Sequence, residues 1–141
     1  MMKILLIDSN KNDLIVNRDV LTAHGHQVDA VMSADEALKS SSSGDYDLAL
    51  AEVNLADGSG LKLVESLARR MKLYILTEGI SVARAIKAIK LNAMDVIFKP
   101  LDAAKIDQIE RSVPEKSRRL KTTSRQRETE NSIRPQRSME K

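Results

Sequence analysis

Four residues with useful chemistry each stand at the end of a short apolar run. Asp8 follows Ile4-Leu5-Leu6-Ile7, Glu52 follows Leu48-Ala49-Leu50-Ala51, Thr77 follows Leu73-Tyr74-Ile75-Leu76, and Lys99 follows Val96-Ile97-Phe98. Such runs are of strand type and too short for a helix, and an open parallel sheet keeps its site at the carboxyl ends of its strands. After Glu52 comes Asn54-Leu55-Ala56-Asp57-Gly58-Ser59-Gly60, a turn rich in Asn, Asp and Gly. A carboxylate held at a strand end is a candidate site, because burial and charged neighbours perturb it there. The plainest alternative is structural, with Glu52 and Lys99 forming a buried pair that supports the sheet edge. Gly58 and Gly60 complete neither GxGxxG nor GxxxxGK[ST], and no nucleophile-base pair appears, so a small-molecule enzyme is the least supported reading.

The elements that would position these residues alternate along the chain. Lys3 to Ile7 is a continuously apolar strand of the kind buried on both faces. From about Asn12 to His24, Val16, Val20 and Ala23 recur at helical spacing beside Leu21, and Gly25 stops the helix as a left-handed cap. Val28 to Val31 is a second strand. Ser33-Ala34-Asp35-Glu36 matches a capping box and opens a short helix through Leu38, which is expected to dissolve into a flexible loop over Ser40 to Gly44. After the strand that ends at Glu52, Leu61, Val64, Leu67, Ala68 and Met71 mark a third helix. Leu73 to Thr77 is the fourth strand, and Val82, Ile86 and Ile89 mark a helix ending near Asn92. Asp95 to Phe98 is the fifth strand, and Asp102 caps a last helix carrying Ile106, Ile109 and Val113. Five β-then-α units imply an α/β fold with a parallel sheet covered by helices on both faces.

Composition narrows the class. With two Tyr, one Phe and no Trp among 141 residues, the core must be aliphatic. The absence of cysteine excludes a disulfide scaffold and thiolate metal sites. The first apolar run is too brief for a signal-peptide core or a membrane span, so a soluble, cytoplasmic protein without a membrane role is expected. Charge splits the chain into a domain over residues 1–113 and a tail over 114–141. The tail carries nine basic against four acidic side chains and almost nothing apolar beyond Leu120, Ile133 and Met139. It is expected to be a disordered tail or linker. Without an aromatic stacker or a helix-turn-helix pattern, nucleic acid is not the expected partner except through this tail.

Taken together, Asp8, Glu52, the Asn54 to Gly60 turn, Thr77 and Lys99-Pro100 resemble the receiver domain of bacterial two-component response regulators over about residues 2 to 113. The resemblance implies a flavodoxin-like sheet of order 2-1-3-4-5. It places Glu52 at the position of the aspartate that accepts a phosphoryl group, Thr77 at the switch hydroxyl and Lys99 at the phosphate-sensing lysine. It makes Asp8, Glu52 and the backbone carbonyl of Asn54 the metal ligands. In such chemistry Mg²⁺ neutralises the donor's charge, a lysine stabilises the transferring oxygens, and a hydroxyl bonds the new phosphoryl group.

The departures matter as much. Glutamate replaces the acceptor aspartate and projects its carboxylate into the space that metal and phosphoryl would occupy, which in-line transfer tolerates poorly. Ser9 stands where a second acid is usual, so the pocket loses a formal charge and Mg²⁺ binding is expected to be weak or absent. Glu78 follows Thr77 where a small residue is preferred, Ala56 replaces a usual proline, and Val96 stands where Tyr or Phe often acts as a rotamer switch. The expected function is therefore a phosphorylation-independent receiver, a protein-interaction module and not an enzyme. Glu52 either mimics the phosphorylated state or marks a domain that has lost switching. An ordinary Mg²⁺-dependent phosphoacceptor is the alternative within signalling, and nucleic-acid binding by the tail the alternative outside it. A sensor kinase, an output domain or a second copy are the partners the resemblance implies, through a fourth helix bearing Arg84, Lys87 and Lys90. His24 and His26 are expected to meet the helix end or solvent, and Asp57 to serve the turn.

Overall fold

The computed structural model describes residues 1–113, and the basic segment 114–141 lies outside them. Strands and helices alternate strictly: β1 (Lys3–Ile7), α1 (Lys11–Ala23), β2 (Gln27–Val31), α2 (Ala34–Ser43), β3 (Leu48–Ala51), α3 (Gly60–Ala68), β4 (Lys72–Thr77), α4 (Val82–Lys90), β5 (Val96–Phe98) and α5 (Ala103–Ser112). All neighbours pair in parallel, in the order β2-β1-β3-β4-β5. The order reverses at β1, so a crevice opens between β1 and β3 at their carboxyl ends.

Successive side chains of a strand point to opposite faces, and the core divides accordingly. Leu5, Ile7, Ala49, Ala51, Leu73 and Ile75 pack with α2 and α3 on one face. Ile4, Leu6, Leu48, Leu50, Tyr74 and Leu76 pack with α1 and α5 on the other. The central strand is Leu-Ala-Leu-Ala, and its small residues let helices on one face approach closely. Gly60 shows how close: a Cβ there would lie 1.8 Å from the Val53 carbonyl oxygen, so α3 can start against the end of β3 only with glycine.

Local capping sets the helix starts. Asn10, Ser33, Ser81 and Asp102 each accept a hydrogen bond from a backbone N–H in the first turn of α1, α2, α4 and α5. Glu36 also reaches back to accept from Met32 N, one residue before the cap, at 2.9 Å. Gly25 closes α1 at φ +90°, as its position predicts.

One expectation of the elements needs correction, and two helices bury a face of their own. The serine run is not a loop: α2 continues through Ser43, and the Ser41, Ser42 and Ser43 hydroxyls donate back to the carbonyls of Leu38 and Lys39. Bonding to the preceding turn lets serine stay helical. The buried stripe of α1 is Leu14, Asn17 and Leu21, while Val16 faces outward. The apolar residues that mark α4 lie on its outer face. Val82, Ile86 and Ile89 are exposed, and Ala88 is the one fully buried residue of that helix.

Candidate functional site

The carboxyl ends of β1, β3, β4 and β5 bring Asp8, Glu52, Thr77 and Lys99 together, as their strand-end positions predict. Glu52 begins the turn after β3, paired through its N–H to the Ile7 carbonyl at 3.0 Å. It is 5 % exposed, and both of its carboxylate oxygens are engaged. Oε1 lies 2.9 Å from Lys99 Nζ. Oε2 accepts from the Thr77 hydroxyl at 2.6 Å and from Asn54 N at 2.8 Å. The extra methylene of glutamate spans the distance between β3 and these donors.

Lys99 is the centre of charge. Its ammonium lies 2.5 Å from Asp8 Oδ2, 2.9 Å from Glu52 Oε1 and 3.0 Å from Asp13 Oδ2. Burial alone would make the ammonium easier to deprotonate. The hydrogen bonds to Asp8, Glu52 and Asp13 and the charge of Asp8 override it and raise its pKa well above the ordinary lysine value. Asp8 is oriented from its other oxygen, since Oδ1 accepts from Asn10 N at 2.9 Å.

Asp13 and Asn17 belong to the site although the sequence reading passed over them. Asp13 lies in the first turn of α1, and its carboxylate supplies the second acid that Ser9 does not, so the inferred loss of charge is made good one turn later. Ser9 instead accepts from Ala56 N at 3.1 Å and ties the loop after β1 to the loop after β3. Asn17 donates to the Asp13 carbonyl at 2.9 Å and accepts from Leu101 N at 2.9 Å. It thereby fixes α1 to the chain just past the cis Lys99–Pro100 peptide. A polar residue inside the Leu14–Leu21 stripe was the available signal.

Asn54 is the junction on the opposite side. Its side-chain amide donates to the Gly79 carbonyl at 3.0 Å, and its Oδ1 accepts from Arg84 of α4 at 2.7 Å. The same guanidinium donates to the Val53 carbonyl at 3.2 Å. Arg84 is thus tied to the turn after β3.

Mg²⁺, which the resemblance implies, would require carboxylate oxygens converging on one open point. Here Asp8 and Glu52 both turn to the Lys99 ammonium, and among the described residues no three His, Cys, Asp or Glu side chains form a metal-holding group. The side chains as arranged do not fit the ion.

The remaining candidates stand apart from this pocket. Asp57 accepts from the Ser59 N–H and hydroxyl, at 3.0 and 2.6 Å, which lowers its pKa and gives it the turn role expected of it. Glu78 points outward. His24 Nδ1 pairs with the Val20 carbonyl at the helix end. His26 departs from expectation, because it is buried, accepts from Met2 N at 3.0 Å and meets Glu110 of α5 at 2.7 Å. Val96 and Phe98 line one shallow groove of about 600 Å³ with Ile86 and Ile89. No helix among the described residues is long and apolar enough to cross a membrane.

Comparison with known proteins converges on the same fold. The response regulator receiver domain family matches residues 4–110. The acid tolerance regulatory protein ActR of Rhizobium meliloti is 31% identical over 110 residues, covering 70% of this chain and 57% of that protein. The transcriptional regulatory protein ZraR of Salmonella typhimurium is 29% identical over 108 residues, covering 74% of this chain and 24% of that protein. The chain therefore spans between a quarter and just over half the length of these relatives. Among solved structures, a CheY-like receiver domain protein of Methanospirillum hungatei superposes with a TM-score of 0.77 at 24% identity, over 84% of this chain and 98% of that one.

Proposed function

Because the chain belongs to the response regulator receiver family, we propose that it works as a phosphorylation-independent interaction module of a cytoplasmic two-component pathway, with Glu52 in the place of a phosphoryl group. One observation carries this reading. The lysine and hydroxyl that would receive a phosphoryl group are already bonded to Glu52, at 2.9 Å from Lys99 and 2.6 Å from Thr77. Those bonds favour a pocket held in an active-like arrangement over one that has merely lost its function. A carboxylate carries less charge and fewer acceptor oxygens than an acyl phosphate, so the mimicry is partial. Lys99 supplies within the chain the positive charge that a metal would bring, and Mg²⁺ binding is accordingly weak or absent. The module has no catalytic residue of its own.

The partner is a protein, met through α4 and β5, where exposed Val82, Ile86, Ile89 and Phe98 lie near Lys87 and Lys90. An apolar surface with an acidic rim would complement it. A second copy is a further occupant, and light scattering at high concentration tests it.

Intact mass after incubation with Mg²⁺ and a small-molecule phosphodonor tests the central reading. The wild type is expected to gain no phosphoryl group, and Glu52→Asp, which shortens the side chain and frees Thr77, to gain one. A wild type that acquires a base-labile phosphoryl adduct would make this chain an ordinary phosphoacceptor.

A further inference from the structure

α4 is lightly attached to the rest of the domain. It buries Ala88 completely and turns Val82, Ile86 and Ile89 outward, so apolar packing fixes it less than it fixes any other helix. What ties its first half down is polar. The Arg84 guanidinium holds two acceptors of the turn after β3, Asn54 Oδ1 at 2.7 Å and the Val53 carbonyl at 3.2 Å. Hydrogen bonds from a charged, planar donor to fixed acceptors are stronger and more directional than neutral ones.

The residue that Arg84 grasps is the one that senses Glu52. Asn54 donates its backbone N–H to Glu52 Oε2 at 2.8 Å, and its side-chain amide holds the Gly79 carbonyl in the turn between β4 and α4 at 3.0 Å. A displacement of the Glu52 carboxylate removes the acceptor of Asn54 N, while the Thr77 hydroxyl keeps the Gly79 carbonyl within reach at 3.0 Å. The backbone at Asn54 then carries its side chain, and with it the Arg84 contact. The continuous chain of bonds runs from Glu52 through Asn54 and Arg84 into α4.

We propose that Arg84 is a positioning residue that couples the state of the Glu52 pocket to the placement of α4. This inference rests on the reading of that pocket as the receiver's site, but not on whether Glu52 accepts a phosphoryl group. Arg84 acts through Asn54 and touches no reacting atom. Such coupling is a free energy shared between two places, so it is measured as a non-additive effect of two substitutions.

The test is backbone amide hydrogen exchange of the full chain for wild type, Glu52→Ala, Arg84→Ala and the double variant. Glu52→Ala is expected to speed exchange of the α4 amides on the order of tenfold, the effect of losing about one charged hydrogen bond. In the Arg84→Ala background α4 is already loosened, and Glu52→Ala is expected to add less than about twofold. Protected amides of β1 and β3 serve as the control that each variant is folded. Arg84→Lys, which keeps the charge but not the planar fork, is expected to restore part of the response. An equal effect of Glu52→Ala on α4 with and without Arg84 would overturn the inference, as would an α4 that ignores Glu52→Ala altogether. Phosphoryl uptake by the wild type, read from intact mass, would defeat the functional reading while leaving this result untouched.

Discussion

Glu52 has both carboxylate oxygens bonded within the chain and is 5 % exposed, whereas Ile86 on α4 is 51 % exposed with its apolar side chain facing outward. The two regions are joined through Arg84 and Asn54, yet they meet opposite demands. In the pocket, the Asp8 and Glu52 carboxylates and the Lys99 ammonium leave bulk water only because each has a partner. On α4, apolar surface is left in contact with water, which a folded chain tolerates at small cost and which another protein can cover. On the proposed reading, the pocket is satisfied from within and the open face of α4 is where a partner docks.

The difference predicts a gradient of sensitivity. Lys99→Met should be the most damaging change, because it leaves Asp8 and Glu52 buried without their cation; a loss of about 3–5 kcal/mol is expected in chemical denaturation. A wild-type-like midpoint would mean that the carboxylates are paired or hydrated in some other way. The same ammonium gives a pH signature. Its pKa is higher folded than unfolded, so its contribution is complete below the ordinary lysine value of about 10.4 and is lost as pH rises beyond that through the raised folded value. Stability should therefore fall more steeply at alkaline pH in the wild type than in Lys99→Met, as read by melts at increasing pH.

Thr77→Val comes next. Thr77 is fully buried, and the substitution strips Glu52 Oε2 of its hydroxyl donor while preserving shape. About 1–3 kcal/mol should be lost. Ile86→Ser marks the other end of the scale, with a change in stability within about 0.5 kcal/mol by thermal melt, since little apolar contact is removed. A large loss at Ile86 would show that the outer face of α4 packs in the isolated protein, and the contrast would fail.

The pocket is more legible in the sequence than the outward packing of the α4 apolar residues, for physical reasons. Asp8, Glu52, Thr77 and Lys99 each end a strand, and a parallel sheet with short crossovers must gather such ends along one edge. The strand order itself came from family resemblance, because apolar runs do not say which neighbour each strand takes. Asp13 stayed hidden because an acid in the first turn of a helix has an ordinary role at the positive end of the helix dipole. The bonds of Arg84 to Asn54 and Val53 are not legible because basic residues at helical spacing describe a solvated face equally well. Val82, Ile86 and Ile89 mark α4 correctly, but periodicity reveals only that a helix has an apolar face and not what covers it. Ser41 to Ser43 were read as a loop because composition does not register hydroxyls that bond back into their own helix.

The central claim is that the Glu52 pocket is complete without a phosphoryl group. The most direct measurement is the backbone amide spectrum of the full chain, titrated with Mg²⁺ and then with a small phosphodonor. The amides of Asn54, Thr77 and Gly79 and those of α4 should keep their positions throughout, since Lys99, Thr77 and Asn54 are already bonded to Glu52. A saturable shift of those amides, spreading into α4 when the donor is added, would show instead a pocket that waits to be filled.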